Sequence, residues 1–287
     1  MSSSHAWTLP APAKVNLFLH VTGRRDDGYH LLETLLVPID RGDRVTLSVR
    51  DDAEIVRTRG PAGVAAGDDL AVRAARLVQR ACGIARGIDI DIDKQIPVGG
   101  GLGGGSSDAA TVLLGLNRLW QLGLSRRALM ELALQLGADV PFFIFGTPAF
   151  ARGIGELLES VSLPPTWFVV VAPPVAVATA EVFAAAELTR NSRSAKMSVF
   201  SEGYGRNDLQ AVAVSRFPEI AASLHALSND AADAVAIAMS GSGACVFAAF
   251  STEQAALRSR ARVERAGYAG FVARALNHHP LRHFAAP

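Results

Sequence analysis

Glycine dominates the stretch from Pro97 to Ser107, where six of the eleven residues are glycine. Without Cβ atoms, backbone N–H groups can approach a ligand closely, and a helix beginning after the stretch adds the positive end of its dipole. Both features favour phosphate as the ligand. The predicted phosphate-binding residues are Pro97, Val98, Gly99, Gly100, Gly101, Leu102, Gly103, Gly104, Gly105, Ser106 and Ser107.

The neighbours of this loop indicate what kind of phosphate site it forms. Residues 88–93 alternate isoleucine and aspartate, which predicts a strand, and the residues from Ser106 onward have the composition of a helix start. The run from Gly99 formally matches the dinucleotide pattern GxGxxG, but Leu124 stands about 20 positions later, where an acidic residue is required. The Walker sequence and the protein-kinase motifs are also missing, so these three nucleotide-binding classes are excluded.

Two further places carry side chains suited to acid–base chemistry. Residues 13–21 alternate as a strand, which puts Lys14 and Asn16 on one face. A strand lysine is most often solvated, and a strand asparagine is often a satisfied core residue. Asp139 stands between Gly137 and the apolar run 140–145, where it either caps the preceding helix or acts as a general base. The residues alone leave these alternatives open.

Three segments together resemble the motifs of the GHMP kinase superfamily. They are residues 12–16, 97–111 and 240–245, in that order. Two additional glycines stand between Leu102 and Ser106, and this longer loop resembles the branch that acts on a CDP-linked methylerythritol. Residues 23–30, 136–141 and 207–209 resemble the same branch, so the resemblance spans most of the chain.

The resemblance implies a small-molecule kinase of the non-mevalonate isoprenoid pathway. It implies ATP and Mg²⁺ as cofactors and the 2-hydroxyl of the CDP-linked methylerythritol as the acceptor. Lys14 and Asp139 match the catalytic lysine and aspartate of the superfamily, with Asp139 as general base. The residues matched to substrate binding are Asn16, Tyr29, His30, Thr179 and Phe183, and those matched to the adenine side of ATP are Lys94, Asp69 and Leu70. The metal ligands are not assigned.

Several of these residues have a second interpretation. Ser106 or Ser107 is equally suited to be a helix N-cap, and Phe183 lies in an alanine-rich helix where core packing is ordinary. Asp108 would repel a triphosphate unless its carboxylate faces away, caps the helix or helps hold the metal. The 240–243 turn either closes on the phosphates or only joins two strands.

The predicted fold class is α+β, with two lobes that meet at a central cleft. We expect an N-terminal ATP-binding domain over residues 1–160 and a C-terminal, substrate-side domain over residues 161–287. Strands are predicted at 13–21, 44–50, 87–94, 167–172 and 271–276, helices at 69–82, 106–120, 125–136, 180–188 and 253–266, and a hairpin across 240–243. The first ten residues are expected to form a tail.

Composition limits the partners and the compartment. The formal net charge is +1, which is too balanced for a broad nucleic-acid footprint. The two cysteines form no ligand cluster, and no signal peptide or apolar span is evident, so we expect a cytoplasmic protein without a membrane partner. A monomer or weak homodimer with a small-molecule substrate is expected.

Two other functions fit the motifs. A GHMP kinase acting on another alcohol, such as homoserine or mevalonate, would be indifferent to cytidine. A nucleotide-binding regulator would keep the loop but do no chemistry, and the presence of Lys14 and Asp139 argues against it.

Overall fold

The computed structural model describes residues 6–194, 205–229 and 233–286, which form two packed lobes. The first lobe contains β1 (Ala6–Arg24), β2 (His30–Arg50), β3 (Ile55–Arg59), α1 (Leu70–Ala81), β4 (Gly87–Asp93), α2 (Gly104–Leu119), α3 (Arg126–Leu134), α4 (Val140–Phe145), β5 (Ala149–Arg152) and β6 (Leu157–Ser160). The second contains β7 (Trp167–Val171), α5 (Thr179–Ala184), α6 (Gln210–Arg216), α7 (Pro218–Ser228), β8 (Ala236–Met239), β9 (Val246–Phe250), α8 (Glu253–Arg265) and β10 (Gly270–Arg274), and a short 3₁₀ helix (Arg282–Phe284) follows. The predicted α+β class and two-lobed fold are confirmed.

Each lobe is built on its own sheet. In the first lobe the order is β3-β4-β2-β5-β6, with β1 also paired to β2, and the β3–β4 pair is parallel. Helices α1 and α2 supply many of the aliphatic side chains of the first core. The second lobe has an antiparallel sheet in the order β10-β7-β9-β8, whose core includes residues of α6, α7 and α8.

A third apolar cluster joins the two sheets. It brings Val15 and Leu17 of β1 together with Phe168 of β7 and Phe247 of β9, all with 2% or less of their surface exposed. Because both faces of the middle of β1 are covered, polar residues on that strand are buried as well, including Lys14 and Asn16. The sequence alternation predicted the strand but not the burial of both of its faces.

Most predicted elements are confirmed within one to three residues. The helix expected from Asp69 begins at Leu70, and the Asp69 carboxylate caps it by accepting from the Ala71 N–H at 2.9 Å. Three expectations were wrong: residues 6–10 belong to β1 and not to a tail, β2 begins at His30 and not at residue 44, and α5 ends at Ala184 and not at residue 188. The first five residues of the expected tail lie outside the described ranges. Within the described ranges, no helix is both long enough and apolar enough to cross a bilayer.

Candidate active site

A cavity of about 620 Å³ lies between the two lobes. The predicted site residues that line it are Lys14, Asn16, Asp69, Leu70, Lys94, Pro97, Val98, Gly99, Gly100, Gly101, Leu102, Gly103, Gly104, Gly105, Ser106, Asp139, Thr179 and Phe183. Ser107, Tyr29 and His30 are not among its lining residues. The structure therefore brings most of the predicted site together from segments far apart in sequence.

The glycine loop needs glycine for two distinct reasons. Gly101 and Gly103 have φ values of +73° and +70°, which L side chains rarely adopt. A Cβ on Gly101 would also lie 2.1 Å from the Ser240 carbonyl oxygen, because the loop packs directly on the 240–243 turn. The Ser240 hydroxyl donates to the Gly101 carbonyl at 3.0 Å, and the Cys245 N–H donates to the Gly100 carbonyl at 3.0 Å. The 240–243 turn thus fixes the loop.

The loop leads into the N-terminus of α2. Gly103 is the N-cap residue, in the left-handed conformation and without a side-chain cap, so the alternative interpretation of Ser106 or Ser107 as the N-cap is wrong. The first N–H groups of a helix have no intrahelical partner, and they join the positive end of the dipole. Because Gly104 and Ser106 both line the cavity, this helix start is suited to hold phosphate oxygens.

The loop serines differ in what their hydroxyls can reach. The Ser106 hydroxyl makes no hydrogen bond within the described ranges, and this residue lines the cavity. The Ser107 side chain is fully buried and donates to the Pro12 carbonyl at 2.6 Å, so its hydroxyl ties α2 to β1. The Thr111 hydroxyl donates in the same way to the Pro10 carbonyl at 3.3 Å, so it too joins α2 to β1.

Lys14 and Asp139 meet at the wall of this cavity. The Lys14 Nζ donates to the Asn16 Oδ1 at 2.5 Å and to the Gly101 carbonyl at 2.9 Å, and it lies 3.6 Å from the Asp139 Oδ2. Asn16 in turn donates to the Thr34 hydroxyl at 2.9 Å, so the lysine is held by an ordered buried network. The structure confirms that Lys14 and Asn16 share a face of β1.

Asp139 lines the cavity with a partly exposed carboxylate. It precedes α4 at the N-cap position but makes no side-chain cap, and 43% of its side chain is exposed. The alternative interpretation, a cap of the preceding helix, is not observed in the described residues either: α3 ends with Gln135 as its C-cap residue, and the Asp139 carboxylate pairs with Lys14. The carboxylate therefore lies at the cavity wall beside the buried ammonium of Lys14.

Lys94 lies in a second charged cluster. Its Nζ bonds the carboxylates of Asp43 at 2.5 Å and Asp108 at 2.9 Å. Burial raises the pKa of Asp108 to about 7, an effect that Lys94 opposes and Asp43 reinforces. Asp108 lies inside α2 and pairs with Lys94, so it does not cap the helix, while its Oδ1 is buried without a partner. Asp43 also accepts from the N–H groups of Gln95 and Ile96, which anchors the start of the loop.

Asp69 and Leu70 line the cavity at the start of α1. The Asp69 carboxylate is engaged by Arg57 at 2.8 Å besides capping α1, and only 6% of the residue is exposed. The δ carbon of Leu70 lies 3.9 Å from the position of a Cβ on Gly105. Their predicted role beside adenine stays a prediction.

The residues predicted to bind cytidine are brought together only in part. The rings of His30 and Phe183 stack, with centroids 5.0 Å apart and an interplanar angle of 29°. The Thr179 hydroxyl shares a hydrogen bond with Ser242 at 2.7 Å. Tyr29 lies in the turn before β2 and is 61% exposed, away from the lining of the cavity. Its predicted stacking role stays a prediction.

Sequence reasoning missed residues that have no motif of their own. Arg190 donates its Nε–H to the His30 Nε2 at 3.1 Å, and Asp43 holds Lys94. Both lie in stretches without a local pattern, and only the fold brings them to the site. An isolated aspartate beside Gly42, before a predicted strand, gave no usable signal.

Comparisons with known proteins agree with this geometry. The family model described as GHMP kinases N terminal domain matches residues 69–147, and the one described as GHMP kinases C terminal matches residues 184–269. The structure of a homoserine kinase from Cytophaga hutchinsonii superimposes with a TM-score of 0.71 at 17% identity, covering 97% of both chains, which supports the fold. The two-lobed fold, the glycine loop and the two matching family models together show that this chain is a GHMP kinase.

Relatives of higher sequence identity show to which family within the GHMP kinases this chain belongs. A 4-diphosphocytidyl-2-C-methyl-D-erythritol kinase from Thiobacillus denitrificans is 55% identical, covering 96% of this chain and 97% of its own. One from Aromatoleum aromaticum is 53% identical, covering 95% and 94%. A crystal structure of a 4-(cytidine 5'-diphospho)-2C-methyl-D-erythritol kinase gives a TM-score of 0.80 at 36% identity, covering 94% and 99%. This chain belongs to the 4-diphosphocytidyl-2-C-methyl-D-erythritol kinase family.

Proposed function

We propose that this chain transfers the γ-phosphoryl group of ATP to the 2-hydroxyl of 4-diphosphocytidyl-2-C-methyl-D-erythritol. The observation that carries the proposal is the Lys14–Asp139 pair, 3.6 Å apart and on the wall of the same cavity as the glycine loop. The family assignment supplies the acceptor, since the relatives covering nearly the whole chain are named for that substrate. The product is the 2-phosphate, with ADP as the second product.

The proposed chemistry needs a proton acceptor and charge neutralisation. Asp139 accepts the hydroxyl proton while the new O–P bond forms and the bond from the γ-phosphorus to the β,γ-bridging oxygen breaks. Lys14 places a cation beside both the carboxylate and the reacting oxygens. Because Asn16 and the Gly101 carbonyl hold the ammonium, little reorganisation is needed during the reaction. The free N–H groups at the start of α2 hold the phosphates.

We propose Mg²⁺ as the metal that accompanies ATP. Mg²⁺ keeps several waters and takes one or two protein oxygens besides phosphate oxygens. The Ser106 hydroxyl, which makes no hydrogen bond within the described ranges, belongs to a residue that lines the cavity and fits this requirement. Asp108 also lines the cavity, but its Oδ1 is sealed from solvent, so it is not proposed as a ligand. When bound, the metal neutralises phosphate charge. The described residues contain no cluster of three His, Cys, Asp or Glu side chains, so a metal held by protein ligands alone is not proposed.

Cytidine recognition is proposed for the His30–Phe183 end of the cleft. Phe183 lines the cavity and stacks on His30, and an aromatic ring suits a nucleobase. Tyr29 is proposed as a second stacking ring, and its exposure leaves it accessible to a bound base. Asn16 and Thr179 are proposed to contact the rest of the substrate.

An ADP-release assay across several alcohols tests the proposal. We expect turnover with 4-diphosphocytidyl-2-C-methyl-D-erythritol, inhibition by CMP, and no turnover with homoserine or mevalonate. Turnover of either other alcohol without inhibition by CMP would support the general GHMP kinase alternative. ATP binding with no alcohol phosphorylated, beside an active kinase control, would support the regulator alternative.

The biological setting is proposed on composition and family. We propose a cytoplasmic enzyme, a monomer or weak homodimer, without nucleic-acid or membrane partners. We also propose the boundary near residue 160 between the ATP-binding and substrate-side domains, which falls between the two matched segments. Light scattering at micromolar concentration measures the oligomeric state, and a stable tetramer would contradict it.

A further inference from the structure

Arg190 is the most fully engaged side chain at the cytidine end of the cleft. Its guanidinium donates at 3.1 Å to the carbonyl of Leu188, at 3.0 Å to that of Phe183 and at 2.6 Å to that of Ala185. Its Nε–H points instead at the His30 Nε2, at 3.1 Å. Four of the five N–H donors that an arginine carries are therefore used. Because the guanidinium is planar, its three bonds to carbonyls fix the direction of the bond from Nε–H to His30.

This contact determines which nitrogen of His30 carries the proton. A guanidinium has no acceptor, so the Nε2 of His30 must offer its lone pair to Arg190. Burial, and then the charges of Arg190 and Arg24, lower the pKa of His30, so the ring is neutral near pH 7. The single proton of the neutral ring then lies on Nδ1. That nitrogen makes no hydrogen bond within the described part of the chain and is not sealed from solvent.

The same arginine connects the two lobes at this end of the cleft. His30 is the first residue of β2 in the first lobe, and Phe183 lies in α5 of the second. Arg190 bonds the edge of one ring and the carbonyl of the residue that carries the other, while the two rings stack. The position of the Phe183 ring and the orientation of the His30 ring therefore both depend on the guanidinium of Arg190.

We propose that Arg190 is a positioning residue for base recognition, which holds His30 as the Nδ1–H tautomer and so favours cytosine over uracil. The inference rests on the proposed function, in which cytidine binds at the His30–Phe183 end of the cleft, and adds that the Nδ1 edge of His30 meets the base. Cytosine presents two adjacent acceptors, O2 and N3, whereas uracil carries a proton on N3. A fixed N–H donor directed at N3 therefore pairs with cytosine and meets a second donor in uracil.

The test compares Arg190→Met with Arg216→Met. Arg216 is a matched control because it also bonds α5, through the Glu181 carbonyl, and pairs with the Glu187 carboxylate just after that helix. In the described part of the chain it makes no hydrogen bond to His30. In Arg190→Met we expect the KM of the cytidine substrate to rise about tenfold, while kcat changes less than about twofold. The preference for CMP over UMP as inhibitor falls toward one. Arg216→Met keeps the wild-type KM and preference.

Nitrogen NMR separates positioning from general loss of structure. In the wild type, the ¹⁵N shifts of His30, assigned with His30→Asn, show Nδ1 protonated. In Arg190→Met the ring becomes a mixture of tautomers, and its pKa rises toward the ordinary value because one positive neighbour is gone. Arg190→Lys, which retains a donor, restores part of the CMP preference and serves if the methionine variant does not fold.

Two results would overturn the role of Arg190. One is an Nε2–H tautomer of His30 in the wild type, and the other is an unchanged CMP preference in folded Arg190→Met. A wild-type enzyme that CMP and UMP inhibit equally would also contradict this inference, while the proposed function would stand. No turnover of the cytidine substrate and no inhibition by CMP would instead contradict the proposed function. The two failures are thus distinguishable from the same set of titrations.

Discussion

Replacing Gly103 with alanine perturbs the loop at the point where it contacts the catalytic lysine. Gly103 has φ +70°, and alanine in that conformation costs about 1–2 kcal/mol. The new Cβ would lie 3.0 Å from the Phe143 ring and 3.1 Å from two carbons of Lys14. Phe143 is 1% exposed and packed in the core, so the side chain that must shift is Lys14, which lies at the cavity wall. We expect stability to fall by roughly 2 kcal/mol, or a Tm lower by about 4–8 °C.

The effect of Gly103→Ala on catalysis should exceed its effect on stability. Displacing the Lys14 side chain changes its approach to Asp139, and misplacement on the order of 1 Å can cost about 100-fold in rate. We expect kcat to fall at least about 30-fold at a temperature where the variant is fully folded. Scanning calorimetry and steady-state ADP release measure the two quantities.

Gly105→Ala is the matched control for this prediction. Its Cβ would meet only a Leu70 carbon at 3.9 Å, its φ is not positive, and it lies inside α2. Alanine is favoured over glycine in a helix by about 1 kcal/mol, so Tm should rise or stay unchanged. Equal Tm and kcat for Gly103→Ala and the wild type would refute the reasoning about the loop.

Three other predictions follow from the same structure. Asp139→Asn should lower kcat by roughly 10²- to 10⁴-fold with little change in Tm, because its carboxylate makes no cap; full activity by ADP release would contradict the general-base role. Asp43→Asn should destabilise the fold by about 3 kcal/mol in urea unfolding, since its buried carboxylate pairs with Lys94, and an unchanged midpoint would count against that. Burial lowers the pKa of His279 to about 4, so the unfolded chain takes up the proton first and stability should fall by about 3 kcal/mol between pH 6.5 and pH 4. His279→Asn should flatten that part of the pH–stability curve, and a parallel curve would contradict it.

Local sequence patterns predicted helices and strands best where a single residue marks the start of the element or where the residues alternate strictly. Asp69 preceded an apolar helical pattern and is the N-cap of α1, and the isoleucine–aspartate alternation is β4. The start of α2 could not be predicted in this way, because the helix begins on glycines that have low helix propensity. Packing of the loop against the 240–243 turn, which lies far away in sequence, decides that boundary.

The site residues were predictable to different degrees. The strand period alone put Lys14 beside Asn16, but only the resemblance connected them to Asp139, which is more than a hundred residues away. Asp43 and Arg190 lie in no recognisable motif. Asp43 contacts Lys94 and Arg190 contacts His30, and both contacts form only in the folded chain. Sequence patterns therefore identify residues whose role depends on their neighbours in the chain. Residues that position another side chain from a distant part of the chain can be identified only from the folded structure.

Phosphorus NMR of the reaction product tests the central claim most directly. The purified chain, ATP, Mg²⁺ and 4-diphosphocytidyl-2-C-methyl-D-erythritol should give ADP and one new phosphomonoester signal on the 2-hydroxyl, while the diphosphate of the substrate stays intact. Asp139→Asn should give the same product far more slowly. A product phosphorylated elsewhere, or no new monoester from this substrate while homoserine or mevalonate is phosphorylated, would contradict the account.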